Sequence, residues 1–318
     1  MTRMMKYGYL AGVDGAVSRI ALGTSGLREI GKATSVFEEF VAAGGNFFDT
    51  AHIYGGGASE AALGLWVQKR GIRDQVVILA KGAHTPFCTP EQVAIELDQS
   101  LERLKTEKVD LYMLHRDNEE VPVAEFLDAL IDLNSRGIAH AFGMSNWSFL
   151  RIREAHDILE KRRGGHRITG ISNNLALSRM VDPLYPGCVS IDTAEFRAWL
   201  ARTGISVIPW SSQGRRYFSV EDTASDSEVE RCWSCGDNAM RRLRAKYLAR
   251  QLQVAPINVA LAYVLHQPMS TFPIVGCQTV SELKDTLGAL SVSLTKNELD
   301  WLDVRRWAGA GPRALEAS

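Results

Sequence analysis

The 318 residues are 46% hydrophobic and 23% charged, with 27 glycines and 10 prolines, a usage that excludes collagenous, disulfide-scaffold and largely disordered chains. Lys plus Arg number 36 against 37 for Asp plus Glu, a net charge of −1, so no overall field draws the chain to nucleic acid or to an anionic membrane. No apolar run reaches the roughly 20 residues a spanning helix needs, and residues 1–15 lack the apolar centre of a signal peptide, so the cytoplasm is the expected compartment.

In chain order, short runs rich in Val, Ile and Leu alternate with longer stretches of helical period, the pattern of repeated βα units around a parallel sheet. Eight strands are predicted, at 18–22, 46–49, 76–81, 109–115, 140–145, 169–173, 206–210 and 271–275. Helix starts fall between them. Thr89-Pro90-Glu91-Gln92 reads as an N-cap followed by proline at the first helical position, and Asp192 with Glu195 and Thr295 with Glu298 repeat the capping logic. Gly44-Gly45, Gly137 and Gly204 stand before strands, where a helix end takes left-handed backbone. Residues 211–237 read as a long polar loop over a site and 238–267 as two helices divided before Pro256. No linker splits the chain. Residues 1–318 are therefore expected to form a single α/β domain, a (β/α)8 TIM barrel with additional helices and a long loop at its C-terminal face.

The five cysteines, Cys88, Cys188, Cys232, Cys235 and Cys277, make no disulfide framework. Cys232 and Cys235 have redox-motif spacing but no second pair for zinc, and two loop thiols are the better reading; no metal site is expected. Arg215-Arg216-Tyr217-Phe218 is too short and too well offset by nearby acids to be a nucleic-acid patch. It reads instead as a loop flanking a phosphate, with Tyr217 and Phe218 walling a pocket.

Catalytic groups of a (β/α)8 barrel come from the carboxyl ends of its strands. Here those ends carry Asp49, Lys81, His115, Ser145 with Asn146, Asn173, Trp210 and Gly276, and Tyr54 follows Asp49 by five residues. A buried lysine beside an aspartate stays protonated, and a cation beside a phenol is expected to pull the tyrosine pKa down from about 10. In that arrangement Asp49 holds Lys81, Lys81 tunes Tyr54, and a neutral His115 orients a carbonyl oxygen. Taken singly, each residue is as readily a cap, a solvated cation or a satisfied interior group; it is the ordered set of four that carries weight.

The segment Gly45-Asn46-Phe47-Phe48-Asp49-Thr50-Ala51-His52-Ile53-Tyr54-Gly55 resembles the first signature of the aldo-keto reductases. Leu79-Ala80-Lys81, Asp110 to Asp117, and Gly143-Met144-Ser145-Asn146-Trp147 resemble its later pieces in the same order. The resemblance implies reduction of aldehydes and ketones by NADP(H), reversible to alcohol oxidation, with the dinucleotide lying across the barrel mouth. A Rossmann reading of Gly55-Gly56-Gly57 fails, because Glu60 stands where the third glycine belongs; Ser59 is expected to cap the helix that follows.

By the same resemblance Ser145 and Asn146 hold the carboxamide and Trp210 stacks on the nicotinamide. Ser211, Ser212, Gln213 and Gly214 would meet the pyrophosphate, while Gly276, Gln278, Ser281 and Glu282 form the adenosine-phosphate loop at a helix N-terminus. His84, Arg116 and Trp147 border the substrate. Two departures concern the cofactor. Asn173 stands where many members carry the glutamine that contacts the carboxamide. Gln278 stands where an arginine commonly grips the 2′-phosphate, so NAD(H) is not excluded. The expected partner is a small carbonyl or alcohol, with a lean toward hydroxylated, sugar-like compounds from the polar loop; oligomeric state is not legible. The alternative is a nicotinamide-binding regulatory subunit with little turnover.

Overall fold

The computed structural model describes residues 5–162, 164–219 and 227–304. An antiparallel hairpin, β1 (Tyr7–Gly8) with β2 (Val17–Ser18), precedes eight parallel strands: β3 (Ala21–Gly23), β4 (Phe47–Asp49), β5 (Val77–Gly82), β6 (Val109–Leu114), β7 (Ala139–Ser145), β8 (Ile168–Ser172), β9 (Ser206–Val207) and β10 (Ile274–Val275). The sheet runs β10-β3-β4-β5-β6-β7-β8-β9. Its ends meet where Val207 bridges Thr271 and the Phe272 and Ile274 amides donate to the Val207 and Pro209 carbonyls at 2.7 and 2.9 Å. All eight predicted strands are present, several of them shorter than the apolar runs that announced them. The result is a (β/α)8 barrel.

Side chains alternate in and out of a closed parallel sheet, so each strand serves two apolar layers. Phe47, Val77, Leu79, Leu111, Met113, Ala141, Ile208 and Ile274 fill the barrel, whereas Phe48, Ile78, Ala80, Tyr112, Leu114, Phe142 and Met144 pack outward under the helices. Continuing the inward phase by steps of two leads from Phe47 to Asp49, from Leu79 to Lys81, from Met113 to His115 and from Ala141 to Ser145 at the carboxyl ends. The opposite end is plugged by the hairpin: Leu10, Val13 and Val17 join the inner cluster, and Thr169 Oγ1 donates to the Ala11 carbonyl at 2.7 Å.

The helices are α1 (Ile30–Ala42), α2 (Ala58–Arg70), α3 (Pro90–Leu104), α4 (Val123–Ser135), α5 (Phe149–Lys161), α6 (Ala194–Thr203), α7 (Ser227–Trp233), α8 (Gly236–Leu252), α9 (Pro256–Leu265), α10 (Val280–Leu287) and α11 (Lys296–Leu302). Thr295 and Glu298 form the expected capping box, and Gly44, Gly137 and Gly204 take left-handed backbone. Two caps differ from expectation. Ser59 lies inside α2, whose N-cap is left-handed Gly57, because three successive positive-φ glycines carry the turn up to the helix. Thr193, not Asp192, caps α6, its hydroxyl accepting from the Phe196 amide.

The 211–237 segment divides into turns at 211–219 and the short α7, with 220–226 outside the described residues. Tyr217 and Phe218 are both buried in the outer core, their rings 5.3 Å apart, and Arg215 pairs with Glu228 at 2.8 Å. Cys232 is buried and Cys235 half-buried, both unbridged. Among the described residues no single helix is long and apolar enough to cross a membrane; α8 and α9 together meet the length and composition test, bent by 101°. The residues of α9 from Asn258 to Val264 are all buried.

Candidate active site

Asp49, Lys81 and His115 arise from the adjacent strands β4, β5 and β6 and are buried. The Lys81 ammonium is ion-paired and hydrogen-bonded to Asp49 Oδ1 and lies 3.4 Å from the Thr50 carbonyl. Burial lowers its pKa, but the Asp49 carboxylate and the Tyr54 phenol outweigh burial and hold Lys81 above its ordinary value, so it is a cation. Its Nζ stands 5.3 Å from the centre of the Tyr54 ring.

Tyr54 opens a turn, Tyr54–Gly57, in which Gly55, Gly56 and Gly57 have φ of +60, +64 and +95°. Only glycine takes three such values in succession without strain. Arg103 reaches across from α3 to the His52 carbonyl at 3.2 Å and to buried Glu60 at 3.1 Å, bracketing this turn. Neither Arg103 nor Glu60 was singled out by sequence, since a charged helical residue reads as a solvated face until its partner is known.

The Tyr54 pKa moves opposite to expectation. Burial raises it above 10, and Lys81, already neutralised by Asp49, lowers it too little to win. The phenol is therefore a neutral proton donor, held to its proton rather than poised to lose it. His115 packs edge-on to Tyr54 with ring centres 5.6 Å apart. Burial and the nearby charges of Lys81 and Arg116 push its pKa well below 6.5, so the imidazole is neutral, and Nδ1 is buried with no partner. The half-buried ring of His84 stands 4.9 Å from that of His115, and burial keeps it neutral too.

Around this group Ser145 Oγ donates to the Ser172 carbonyl at 2.7 Å. Asn146, at φ +59°, is fully engaged: Nδ2 donates to Ser145 Oγ at 3.0 Å, and Oδ1 accepts from Trp210 Nε1 at 3.1 Å and the Val189 amide at 3.2 Å. Asn173 Nδ2 donates to the Trp147 carbonyl at 2.8 Å, leaving Oδ1 buried and unpartnered. A carboxamide NH2 is the donor such an oxygen lacks, so the residues present fit a nicotinamide, with Asn173 in the receiving position and Asn146 fixing the edge of half-buried Trp210. The side chain of Trp147 is enclosed behind the mouth against Phe126, and its Nε1 donates to the Arg116 carbonyl at 3.0 Å.

The residues expected to meet the cofactor phosphates gather at the ends of β9 and β10. Ser212 Oγ donates to the Ile274 carbonyl at 2.8 Å, Gln213 Nε2 lies 3.3 Å from Thr286 Oγ1, and Ser211 and Gly214 take positive φ. Gly276, Gln278, Ser281 and Glu282 are exposed where α10 begins. Thr279 caps that helix, and Glu282 Oε2 accepts from the Gln278 amide at 2.7 Å. Among the described residues no cluster of His, Cys, Asp or Glu suits a metal.

A parallel (β/α)8 barrel with a phenol, a charged lysine and a neutral histidine at its carboxyl mouth is an enzyme scaffold by architecture and by site. The family model "Aldo/keto reductase family" matches residues 19–304, and the chain belongs to that family. It is 28% identical over 323 residues to an uncharacterized oxidoreductase, YrpG, of Bacillus subtilis (strain 168), covering 94% of this chain and 95% of that one. It is 29% identical over 321 residues to norsolorinic acid reductase stcV of Emericella nidulans, covering 91% and 78%. A crystal structure of the thermostable aldo-keto reductase Tm1743 with the inhibitor epalrestat superposes with TM-score 0.75 at 20% identity, over 94% of this chain and 99% of that one; that likeness shows the fold. Membership makes the chain an oxidoreductase of carbonyl chemistry, in a family that generally binds nicotinamide cofactors.

Proposed function

We propose that this protein reduces aldehydes or ketones to alcohols, reversibly, with Tyr54 as general acid. The observation that carries the reading is the convergence of neutral Tyr54, the Lys81–Asp49 ion pair and neutral, unpartnered His115 from three adjacent strands. When bound, the dinucleotide supplies the hydride equivalent. Tyr54 gives its proton to the oxygen as negative charge develops there, and Lys81 steadies the phenolate left behind. Asp49 keeps Lys81 charged and in place, and His115 orients the carbonyl oxygen by hydrogen bonding. In alcohol oxidation the same groups act in reverse.

The residues support nicotinamide binding across Asn173, Trp210, the 211–214 turn and the start of α10. With neutral Gln278 in place of an arginine fork, NADH is accepted alongside NADPH. The substrate is a small organic carbonyl rather than a macromolecule, and hydroxylated, sugar-like carbonyls belong in the first panel. The test is carbonyl-dependent oxidation of NADPH and of NADH by wild type and Tyr54→Phe, with cofactor binding followed by tryptophan fluorescence. Multiple turnovers that collapse in Tyr54→Phe while cofactor still binds are expected. Binding without turnover over a broad panel would replace this reading with the regulatory one.

A further inference from the structure

Among the described residues the buried guanidinium of Arg116 has no counter-ion. It is 6% exposed, yet it forms no ion pair among the described residues, while its charged neighbours are matched: Lys81 with Asp49, Asp117 with Arg151. Nη1 donates to the His115 carbonyl at 3.1 Å, Nη2 makes a weak contact to Cys188 Sγ at 3.8 Å, and Nε is buried with no partner. The unused edge is thus Nε with Nη2, whose parallel N–H groups meet a carboxylate in a bidentate contact. A desolvated, uncompensated guanidinium is destabilising unless an anion arrives to match it.

Topology separates that anion from the dinucleotide. Arg116 follows β6, across the barrel from β9 and β10, whose ends carry the phosphate loops. Its charge is instead felt at Tyr54, His115 and His84, the reacting side of the mouth. Stoichiometry selects a carboxylate over a phosphate dianion, because the other cation at the mouth, Lys81, is already matched by Asp49. We infer that Arg116 selects carbonyl substrates carrying a carboxylate, oxo acids and their hydroxy-acid counterparts, holding that group on its Nε and Nη2 edge while the carbonyl stands at Tyr54 and His115. This deepens the carbonyl-reductase reading and rests on it. The contact of Nη2 to Cys188 Sγ is weak enough for a carboxylate to displace.

The test compares oxo acids bearing a terminal aldehyde, with one to four methylenes before the carboxylate, against their methyl esters at equal ionic strength. Wild type should show kcat/KM higher for the best acid than for its ester by about 10- to 100-fold, the range of a charged hydrogen-bonded contact. The difference should lie mainly in KM and shrink as salt rises. In Arg116→Gln the acid-to-ester ratio should fall to near one, and in Arg116→Lys, which keeps the charge without the fork, to between the two. A ratio needs only the folded fraction, so lowered yield does not blur it; if Arg116→Gln fails to fold, Arg116→Lys and the wild-type salt series still decide. Equal rates for acid and ester in wild type would overturn the inference and leave the reductase standing.

Binding gives a readout without turnover. Trp147 hydrogen-bonds the Arg116 backbone, so its fluorescence should respond to benzoate and not to methyl benzoate. An Arg116-dependent benzoate response in a protein that reduces nothing would uphold the anion site while overturning the reductase reading. No response to benzoate, with active reduction of esters, would overturn the site.

Discussion

At Tyr54 burial raises the phenol pKa, Lys81 lowers it and Asp49 raises it again, with burial the largest of the three. The phenol therefore crosses the neutral range fully protonated. At His115, burial first and then the charges of Lys81 and Arg116 depress the imidazole well below 6.5, so the ring stays neutral there. Carbonyl reduction needs a protonated tyrosine and a neutral histidine, so kcat/KM should be flat from about pH 6.5 to about 9, since neither raised tyrosine nor lowered histidine titrates between. Rates should fall only as pH rises through the raised Tyr54 pKa or drops through the depressed His115 one. A pH–rate profile with an inflection near 6.5 would show His115 titrating unshielded. Tyr54→Phe should lose about 100- to 10,000-fold in turnover, the usual weight of a positioned acid. At the cofactor loop, Gln278→Arg adds a fork able to grip a 2′-phosphate. It should raise NADPH affinity relative to NADH by about tenfold or more, read from paired fluorescence titrations, and an unchanged ratio would place 2′ recognition elsewhere.

At the scale of elements, legibility followed periodicity. Strands β5 to β7 have six or seven residues, enough to show which phase points inward, and that phase, carried on in steps of two, locates Lys81, His115 and Ser145, with Asp49 two residues after inward Phe47 on the shorter β4. The hairpin of β1 and β2 has two residues per strand, too few to show any period, and its plug at the barrel foot went unread. The direction of the Tyr54 shift also lay beyond the sequence, because it balances burial against a cation whose neutralisation depends on distance. Asn146 is similar: the Ser145 hydroxyl, the Trp210 indole, the Val189 amide and, at 3.4 Å, the His115 carbonyl converge on one left-handed asparagine, and residue type does not announce how its amide is used. Close approach is equally silent until the backbones are placed. Gly64 of α2 packs against the end of α3, where an added Cβ would lie 2.5 Å from the Arg103 carbonyl and the Leu104 backbone. Backbone cannot swing away as a side chain can, so Gly64→Ala should destabilise by about 1–3 kcal/mol despite its better helix propensity. Because Arg103 also brackets the Tyr54 turn, the variant should lose turnover as well as thermal stability; a melting temperature equal to wild type would contradict the packing argument.

For the whole molecule, the decisive contact is the one that turns eight strands into a circle, joining β9 to the stretch before β10 and β10 to β3. Strands β3, β9 and β10 have only two or three residues, so the ladder there is the weakest part of the barrel and side chains reinforce it. Arg19, at the foot of β3, donates through Nε to the Thr271 carbonyl at 2.8 Å and through Nη2 to the Leu265 carbonyl at 3.2 Å, and its guanidinium lies 5.6 Å from the Phe272 ring centre. These contacts join residues about as far apart in sequence as the fold allows, so they act only once the circle is complete. Arg19→Ala should lower stability by on the order of 2 kcal/mol, the loss of charged hydrogen bonds to part-buried carbonyls, seen as a lower urea midpoint with an unchanged slope. Arg19 stands at the end opposite the catalytic mouth, so below its melting range the variant should keep the wild-type acid-to-ester ratio and pH profile. A changed ratio would mean that the foot of the barrel communicates with Arg116, and that the mouth is less rigidly framed than eight paired strands imply.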